Sequence, residues 1–261
     1  TPFIKWILDS QGIRNGSPWL ALIWFCGTVP VTLFLLRAFP QPYGWMPDGA
    51  RTEPGQVADI SGTPLADAVQ SKFFKAVTFG YIFALGAQVG GALQLVKLVE
   101  ERTNRSTATI ATIVLSSMSI ISRFAAGRVI PKLNMTRFTV GLAAMQGISL
   151  ASIGLINNRL GLLIAIGLFG ITIGNMVMMQ SLLLAERFGV RDYPRIAARS
   201  GLISFSGTAF GPLLLGWLYD VAGGYRSSYL AAGVCSVLGA LLFSLAGSAS
   251  EQNIKSEVIT S

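Results

Sequence analysis

The chain has 261 residues, of which 52% are hydrophobic and only 12% are charged, and its formal net charge is +8. Because an average soluble domain has about 25% charged residues, this composition excludes an ordinary soluble domain and indicates a membrane protein. The sequence contains no histidine, which excludes histidine metal sites, histidine proton relays and Ser-His or Cys-His catalysis. We therefore expect no cofactor and no enzymatic activity. The basic residues lie in short turns between apolar runs, so nucleic acid is not an expected partner.

In chain order, the sequence contains seven apolar segments long enough to cross a membrane. A span needs about 20 mostly apolar residues to cross about 30 Å of hydrocarbon. The segments that meet this requirement are 18–37, 73–96, 107–126, 138–157, 160–184, 196–218 and 227–246. The predicted fold class is therefore an all-α integral membrane protein.

The regions between and beyond these spans predict the domain organisation. The stretch after the first span is rich in Pro, Gly, Asp and Ala and lacks apolar periodicity, which is typical of a linker. The resulting divisions are a first segment with one span (1–38), a linker (39–72), a six-helix region (73–247) and a polar tail (248–261). The chain starts with Thr1, and its first residues lack the apolar region of a signal peptide. We therefore expect a fragment of a longer protein.

Basic residues are concentrated in the turns after the third and fifth spans. These turns contain Arg128, Lys132 and Arg137, and Arg187, Arg191, Arg195 and Arg199. Lysine and arginine are more numerous on this side than on the other, and such an excess marks the cytoplasmic side. The linker, the two basic turns and the C-terminal tail are therefore predicted to be cytoplasmic, in a plasma membrane with lipid as the surrounding partner.

Glycine spacing indicates how the spans pack. Three Gly-x-x-x-Gly pairs place small residues on one helix face: Gly86 and Gly90, Gly170 and Gly174, and Gly207 and Gly211. Small faces let membrane helices approach closely. Gly211-Pro212 also predicts a kink in the sixth span. These features suit a bundle that must flex, and they equally suit ordinary packing.

Arg123 is the one cation whose position the topology does not explain, because it lies about one helical turn inside the third span. A charge within a span costs roughly 2.5–3.5 kcal/mol on insertion scales and is a functional candidate by default. Its guanidinium can bind a carboxylate through two parallel hydrogen bonds. Two other interpretations stay open: the side chain extends to the headgroups, or it pairs with an acid outside this sequence.

The spans also contain amides, for most of which interhelical hydrogen bonding is the expected role: Gln88, Gln94, Gln146, Asn175 and Gln180. No Asp or Glu lies deep in any span, so proton coupling by this part of the protein is not expected.

Four stretches resemble the major facilitator superfamily, and within it the bacterial monocarboxylate and oxalate/formate transporters. They are "RAFPQPYGWMPDGA", "SRFAAGRVIPKLNMTR", "ERFGVRDYPRIAARSG" and "GTAFGPLLLGWLYDVAGGYRSSYLAAG". The resemblance implies that the seven spans are helices six to twelve of twelve, and that the missing N-terminal half is a partner. The basic turn departs from the family pattern, with Pro131 in place of Asp and Asn134 in place of Gly.

The resemblance also implies roles for individual residues. Family members carry an arginine in helix eight, four residues before a glycine, that binds the substrate carboxylate; Arg123 and Gly127 match this spacing. The implied pathway-lining residues are Tyr81, Gln88 and Asn175, followed by Ser204 and Ser206. The implied gating residues are Gly127, Arg128, Lys132, Arg137, Gly211 and Pro212.

The implied substrate is a small organic anion, and a monocarboxylate is favoured over a dianion because the sixth span lacks the second cation of oxalate carriers. Ser119 stands where eukaryotic-type carriers have the coupling Asp. The alternatives are transport of another small solute, drug export within the same superfamily, and a sensor or receptor that does not transport.

Overall fold

The computed structural model describes residue 12 and the ranges 16–19, 21–23, 25–35, 62–130 and 133–249. The chain forms two units, Thr1–Asp59 and Ile60–Ser261. In the first unit, the described residues between Gly16 and Pro30 are α-helical and form α1, within the candidate span Gly16–Leu33. A π-helical turn at Val31–Leu35 follows Pro30, whose missing N–H interrupts the regular hydrogen-bond ladder.

The regular structure described in the second unit is helical apart from one isolated bridge between Gly62 and Gly189. The helices are α2 (Leu65–Gln70), α3 (Lys72–Arg102), α4 (Arg105–Val129), α5 (Met135–Leu155), α6 (Arg159–Phe188), α7 (Tyr193–Ser204), α8 (Ser206–Ala222) and α9 (Tyr225–Ala246). With α7 and α8 taken together as one span, the described chain has seven helices long and apolar enough to cross a membrane. The predicted number and order of the spans are therefore confirmed, and the chain is an all-α multi-pass membrane protein.

The end of the predicted linker is folded where the structure describes it. Thr63 N–H donates to Phe188 O at 2.8 Å, and the first N–H of α2, from Leu65, donates to the Asp192 carboxylate at 3.0 Å. Ala68 in α2 is fully buried. The sequence predicted a linker as far as residue 72, but α2 packs against the α6–α7 turn. The rest of the predicted linker lies outside the described residues.

The sixth span is interrupted at Phe205, between α7 and α8. Thr208 N–H donates to the carbonyl of Phe205, three residues back rather than four, at 3.0 Å. The hydroxyls of Ser204, Ser206 and Thr208 also donate to carbonyls three residues earlier. Side-chain hydroxyls therefore satisfy backbone groups at this irregular turn. Pro212 lies inside α8, about two turns beyond the interruption, so the predicted kink at Gly211-Pro212 stays a prediction.

The glycine pairs of α3 and α8 face each other. A Cβ added to Gly86 would lie 3.0 Å from the carbonyl oxygen of Gly207, and one added to Gly90 would lie 3.0 Å from the carbonyl carbon of Gly211. Residue numbers rise together along both helices, so the two helices are parallel. Both glycine faces that the sequence predicted are thus in backbone contact.

A second parallel crossing joins α4 and α6. A Cβ on Gly170 would lie 2.6 Å from Leu115 O, and one on Gly174 would collide with Ser119 O. The third predicted glycine pair is therefore also a helix contact. Here it meets the backbone of a helix that contributes larger side chains.

The crossings of α9 are antiparallel. A Cβ on Gly147 of α5 would lie 2.9 Å from Gly233 O, whereas one on Gly154 would lie 3.3 Å from Arg226 O. Residue numbers therefore rise on α5 as they fall on α9. Parallel contacts between alternate spans and antiparallel contacts between the others are what six spans of alternating direction require.

The six spans of the second unit form two inverted triplets. The first is α3, α4 and α5; the second is α6, the α7–α8 span and α9. The middle span of each triplet packs against the first helix of the other: α8 against α3, and α4 against α6, while the third helices α5 and α9 pack on each other. The two triplets run in opposite directions, so the corresponding helices of the two triplets are antiparallel.

We call the end of the second unit where α4 and α6 terminate and α5 and α7 begin the basic end, and the opposite end the far end. One apolar cluster lies toward the basic end and includes Phe73, Leu183 and Phe243. The other lies toward the far end and includes Leu95 and Phe169. Of the six spans, α4 and the α7–α8 span are the least buried, because their outer faces have no partner within this unit.

Candidate functional site

Arg123 is anchored to the neighbouring helix by one side of its guanidinium. Its Nε donates to Gly174 O of α6 at 2.8 Å, while the residue as a whole is exposed. The glycine makes this bond possible, because a side chain on Gly174 would collide with α4. Nη1 and Nη2 make no hydrogen bond or ion pair with any residue that the structure describes.

The carbonyl that accepts this bond lies at the middle of α6. Helix α6 has 30 residues, and Gly174 is about 22 Å of helix from either end. Side chains on a helix lean toward its N-terminus, and the N-terminus of α4 is at the far end. The guanidinium of Arg123 is therefore directed away from the basic end and toward the middle of the bundle, rather than toward the headgroups nearest its own Cα.

A polar stripe runs along the exposed face of α4. It consists of Thr109, Thr112, Ser116 and Arg123, all of which are exposed at spacings that place them on one helix face. The threonine hydroxyls bond to the carbonyls of Arg105 and Ala108 in their own helix, so they can face an apolar environment at little cost. The guanidinium of Arg123 makes no hydrogen bond to its own helix among the described residues. Its charge therefore makes this face unsuited to lipid.

Two predicted pathway residues lie near the middle of their helices, as does Gly174, which accepts the bond from Arg123. Gln88 lies one residue from the midpoint of the 31-residue α3, and Asn175 follows Gly174. Both residues are buried, and Gln88 Oε1 and Asn175 Oδ1 are buried without a hydrogen-bond partner. We call Arg123, Gln88 and Asn175 the mid-depth set. Such acceptors can bind an N–H or O–H donor, although Gln146 Oε1 is also unpartnered in a purely interhelical position.

Tyr81 is placed beside this set but faces away from open space. Its side chain is fully buried, and its hydroxyl donates to Met176 O at 3.0 Å. The carbonyls of one turn of α6, residues 174–176, therefore accept hydrogen bonds from both Arg123 and Tyr81. Contact of Tyr81 with a solute requires the helices α3 and α6 to separate.

Ser204 belongs to a different group, about two turns closer to the basic end. Gln180 Nε2 donates to the hydroxyls of Ser204 at 2.8 Å and Ser200 at 3.1 Å, and the Ser200 and Thr78 hydroxyls are 2.9 Å apart. All four residues are buried, and we call them the serine cluster. They join α3, α6 and α7 by closed hydrogen bonds, and Ser206 bonds only to Ile203 O of its own chain segment. The structure does not bring either serine to Arg123.

The predicted gating residues are distributed over two places. Gly127, Arg128 and Arg137 are exposed at the basic end, where Arg128 contacts only Phe124 O, at 3.4 Å, among the hydrogen bonds described. Lys132 lies outside the described residues. Gly211 and Pro212 lie in α8, and Gly211 is in the α3–α8 crossing.

Several polar contacts could not be read from sequence. Arg102 at the far end donates to the carbonyls of Ile153, Gly154 and Ile156, so it caps the C-terminus of α5. Tyr229 donates to Gly91 O at 2.6 Å. The only signal in the sequence for Arg102 was its place at a span end, which many arginines share.

Taken together, the mid-depth set offers an open cation and two unpartnered oxygen acceptors, without a described carboxylate within ion-pair distance of Arg123. The open guanidinium suits the binding of an anion, whereas the two oxygens, which only accept hydrogen bonds, suit a hydroxyl or N–H donor on the same ligand. No known protein-family model matches the chain, and no curated protein shows significant similarity to it.

Proposed function

We propose that this chain is the C-terminal half, with one preceding helix, of a secondary transporter of the major facilitator type that carries a small organic anion by alternating access. The observation that carries the proposal is the bond from Arg123 Nε to Gly174 O at the middle of α6. It holds a permanent cation near mid-depth with its two terminal nitrogens open. Transporters bind substrates near the bilayer midplane, at the interface of their repeats.

The inverted triplets support the same proposal. Within each half of a major facilitator transporter, two three-helix units are related by inversion, and the pairing of α3 with α8 and of α6 with α4 has this form. The exposed faces of α4 and of the α7–α8 span are then the surfaces that meet the other half. The basic end is the cytoplasmic side in this proposal.

A monocarboxylate is the favoured substrate class. With Nε engaged, Nη1 and Nη2 present donors that match the two oxygens of one carboxylate. In the described spans no second cation accompanies Arg123 at mid-depth: Arg102 lies at the far end and is occupied by three carbonyls. A dianion would keep one carboxylate without a cation from this half.

Uptake of labelled lactate and of labelled oxalate by cells expressing the complete gene product tests the proposal. Arg123→Gln is expected to abolish lactate uptake, and Arg123→Lys to raise the half-saturating concentration, because lysine keeps the charge and loses the two-point geometry. Arg159→Gln, at the exposed start of α6, is the matched control and should behave as wild type. If both Arg123 variants keep wild-type uptake and affinity, the carboxylate role is wrong.

A further inference from the structure

Two cavities meet at Arg137, at the basic end, away from the mid-depth set. The first, of about 420 Å³, is the more polar of the two, and its polar lining residues are Asn134, Thr136, Arg137, Ser244 and Ser248. The second, of about 500 Å³, is lined mainly by apolar residues: Leu133, Phe138, Gly141, Leu142 and Met145. Asn134 and Arg137 line both cavities, so a polar compartment continues directly into an apolar groove.

The apolar groove follows the outer face of α5. Its open space arises at Gly141, where an added Cβ would meet no atom within 4 Å. Arg137, Gly141, Ile148 and Leu155 are exposed on one face of α5 with helical spacing. Ile148 and Leu155 are large apolar residues beyond the groove, so this face is suited to lipid, and the residues of α5 that line the groove lie between Arg137 and Met145.

Arg137 offers its charge at the head of this groove. Its backbone N–H is bound by the Asn134 side chain at 3.0 Å, but its guanidinium makes no hydrogen bond or ion pair with any described residue. Asn134 Nδ2 bonds to Ser248 Oγ at 3.1 Å, which closes the polar compartment from the side of α9. A cation with open donors, beside hydroxyl and amide groups, suits a phosphate diester.

We propose that these adjoining cavities form a binding site for one anionic phospholipid in the leaflet at the basic end. The phosphate lies against Arg137 in the polar compartment, and an acyl chain lies in the groove opened by Gly141. Charge complementarity selects an anionic headgroup, since basic pockets between membrane helices bind anionic lipids. The apolar lining of the groove selects a lipid over a soluble phosphate, because a soluble phosphate has no apolar chain to place there. The site shares no residue with the mid-depth set on which the proposed transport function rests.

Lipid retention measured by native mass spectrometry on the purified full chain tests this site. The probes are phosphatidylglycerol, phosphatidylcholine with the same acyl chains, and glycerol 3-phosphate. The wild type should retain phosphatidylglycerol in preference to phosphatidylcholine. Arg137→Gln should lower the affinity for phosphatidylglycerol about fivefold, the effect of one cation near a charged membrane surface, and should remove the preference.

Gly141→Leu fills the groove and should lower retention of both lipids. The matched controls are Arg226→Gln at the far end and Gly27→Leu, whose added Cβ also meets no atom within 4 Å; both should retain lipid as the wild type does. Unchanged phosphatidylglycerol binding in Arg137→Gln or in Gly141→Leu would overturn the proposal.

Two further outcomes also count against a lipid site. Binding of glycerol 3-phosphate as tight as that of phosphatidylglycerol would mean that the groove takes no part. Lipid binding that appears only after deletion of residues 250–261 would mean that the chain's own tail fills the cavities.

Discussion

The mid-depth set and the serine cluster are both polar groups inside an apolar bundle, yet they differ in whether their hydrogen bonds are closed. In the serine cluster, Gln180, Ser200, Ser204 and Thr78 bond to one another across three helices. In the mid-depth set, Arg123 keeps two open nitrogens, and Gln88 and Asn175 each keep an unpartnered oxygen. The closed group is explained by interhelical bonding, whereas the open group keeps hydrogen-bonding atoms that a ligand can use.

The largest expected effect on ligand binding comes from a substitution of Arg123. Arg123→Gln is expected to weaken binding of a monocarboxylate by about ten- to a hundredfold, the worth of hydrogen bonds to a charged group. The unfolding free energy should change by less than about 1 kcal/mol, because only one described bond, to Gly174 O, is lost. Equilibrium binding and denaturant unfolding of the same purified protein measure the two quantities. Equal losses in both would make Arg123 a structural residue.

The next largest expected effect is on the unfolding free energy and comes from Gly174, whose carbonyl accepts the bond from Arg123. Gly174→Ala places a methyl group against Ser119 O and 2.7 Å from Ser122 Oγ, so α4 must move away from α6. We expect a loss of about 1–3 kcal/mol of unfolding free energy, typical of overpacking. Gly167→Ala is the matched control on the same helix, since its Cβ would lie 3.5 Å from Val114, an ordinary contact. If the two variants are equally stable, the close crossing at Gly174 is wrong.

Opening the serine cluster should destabilise the fold. Gln180→Leu removes the donor to Ser200 and Ser204, with an expected loss of about 1–2 kcal/mol in thermal or denaturant unfolding. Gln70→Leu, at an exposed position of α2, controls for the change of residue type. A stability equal to wild type would show that the cluster's bonds are replaced elsewhere.

The smallest expected change in unfolding free energy, that of a substitution at Gln88, is neutral or stabilising rather than destabilising. Gln88→Leu removes an amide whose Oε1 is buried without a partner, and it should leave the unfolding free energy unchanged or raise it by up to about 1 kcal/mol. The same unfolding measurement applies. A loss as large as that of Gln180→Leu would mean that Gln88 bonds to a group outside the described residues.

Much of the fold was predictable because its signals are local. Twenty apolar residues suffice to mark a span, and Gly-x-x-x-Gly marks a small helix face, so the spans and all three glycine contacts are confirmed. The roles of Gln146 and Gln180 as interhelical donors followed from the rule that buried amides find partners, and both do. The pairing of particular faces, such as Gly86 with Gly207, has no signal in one sequence.

The features that could not be predicted depend on distant partners. The docking of α2 requires Asp192, the cap on α5 requires Arg102, and the interruption at Phe205 is stabilised by hydroxyls that resemble ordinary polar residues in the sequence. For Arg123, the sequence placed the Cα within a span, but the direction of the guanidinium depended on a carbonyl of α6. The sequence was therefore enough to propose Arg123 as a site residue. The depth of its guanidinium along α6 came only from the structure.

The exchange of partners between the two triplets has a consequence for biogenesis. Helix α3 enters the membrane before its glycine partner in α8 has been synthesised, and the Thr78–Ser200 contact spans 122 residues of sequence. Non-local contacts of this kind form late, so Gly86 and Gly90 stay without their partner glycines until α8 has been made. An early stop in α7 or α8 would thus leave the first triplet inserted but without its closest helix neighbour, and such truncated chains should be favoured targets for membrane proteolysis.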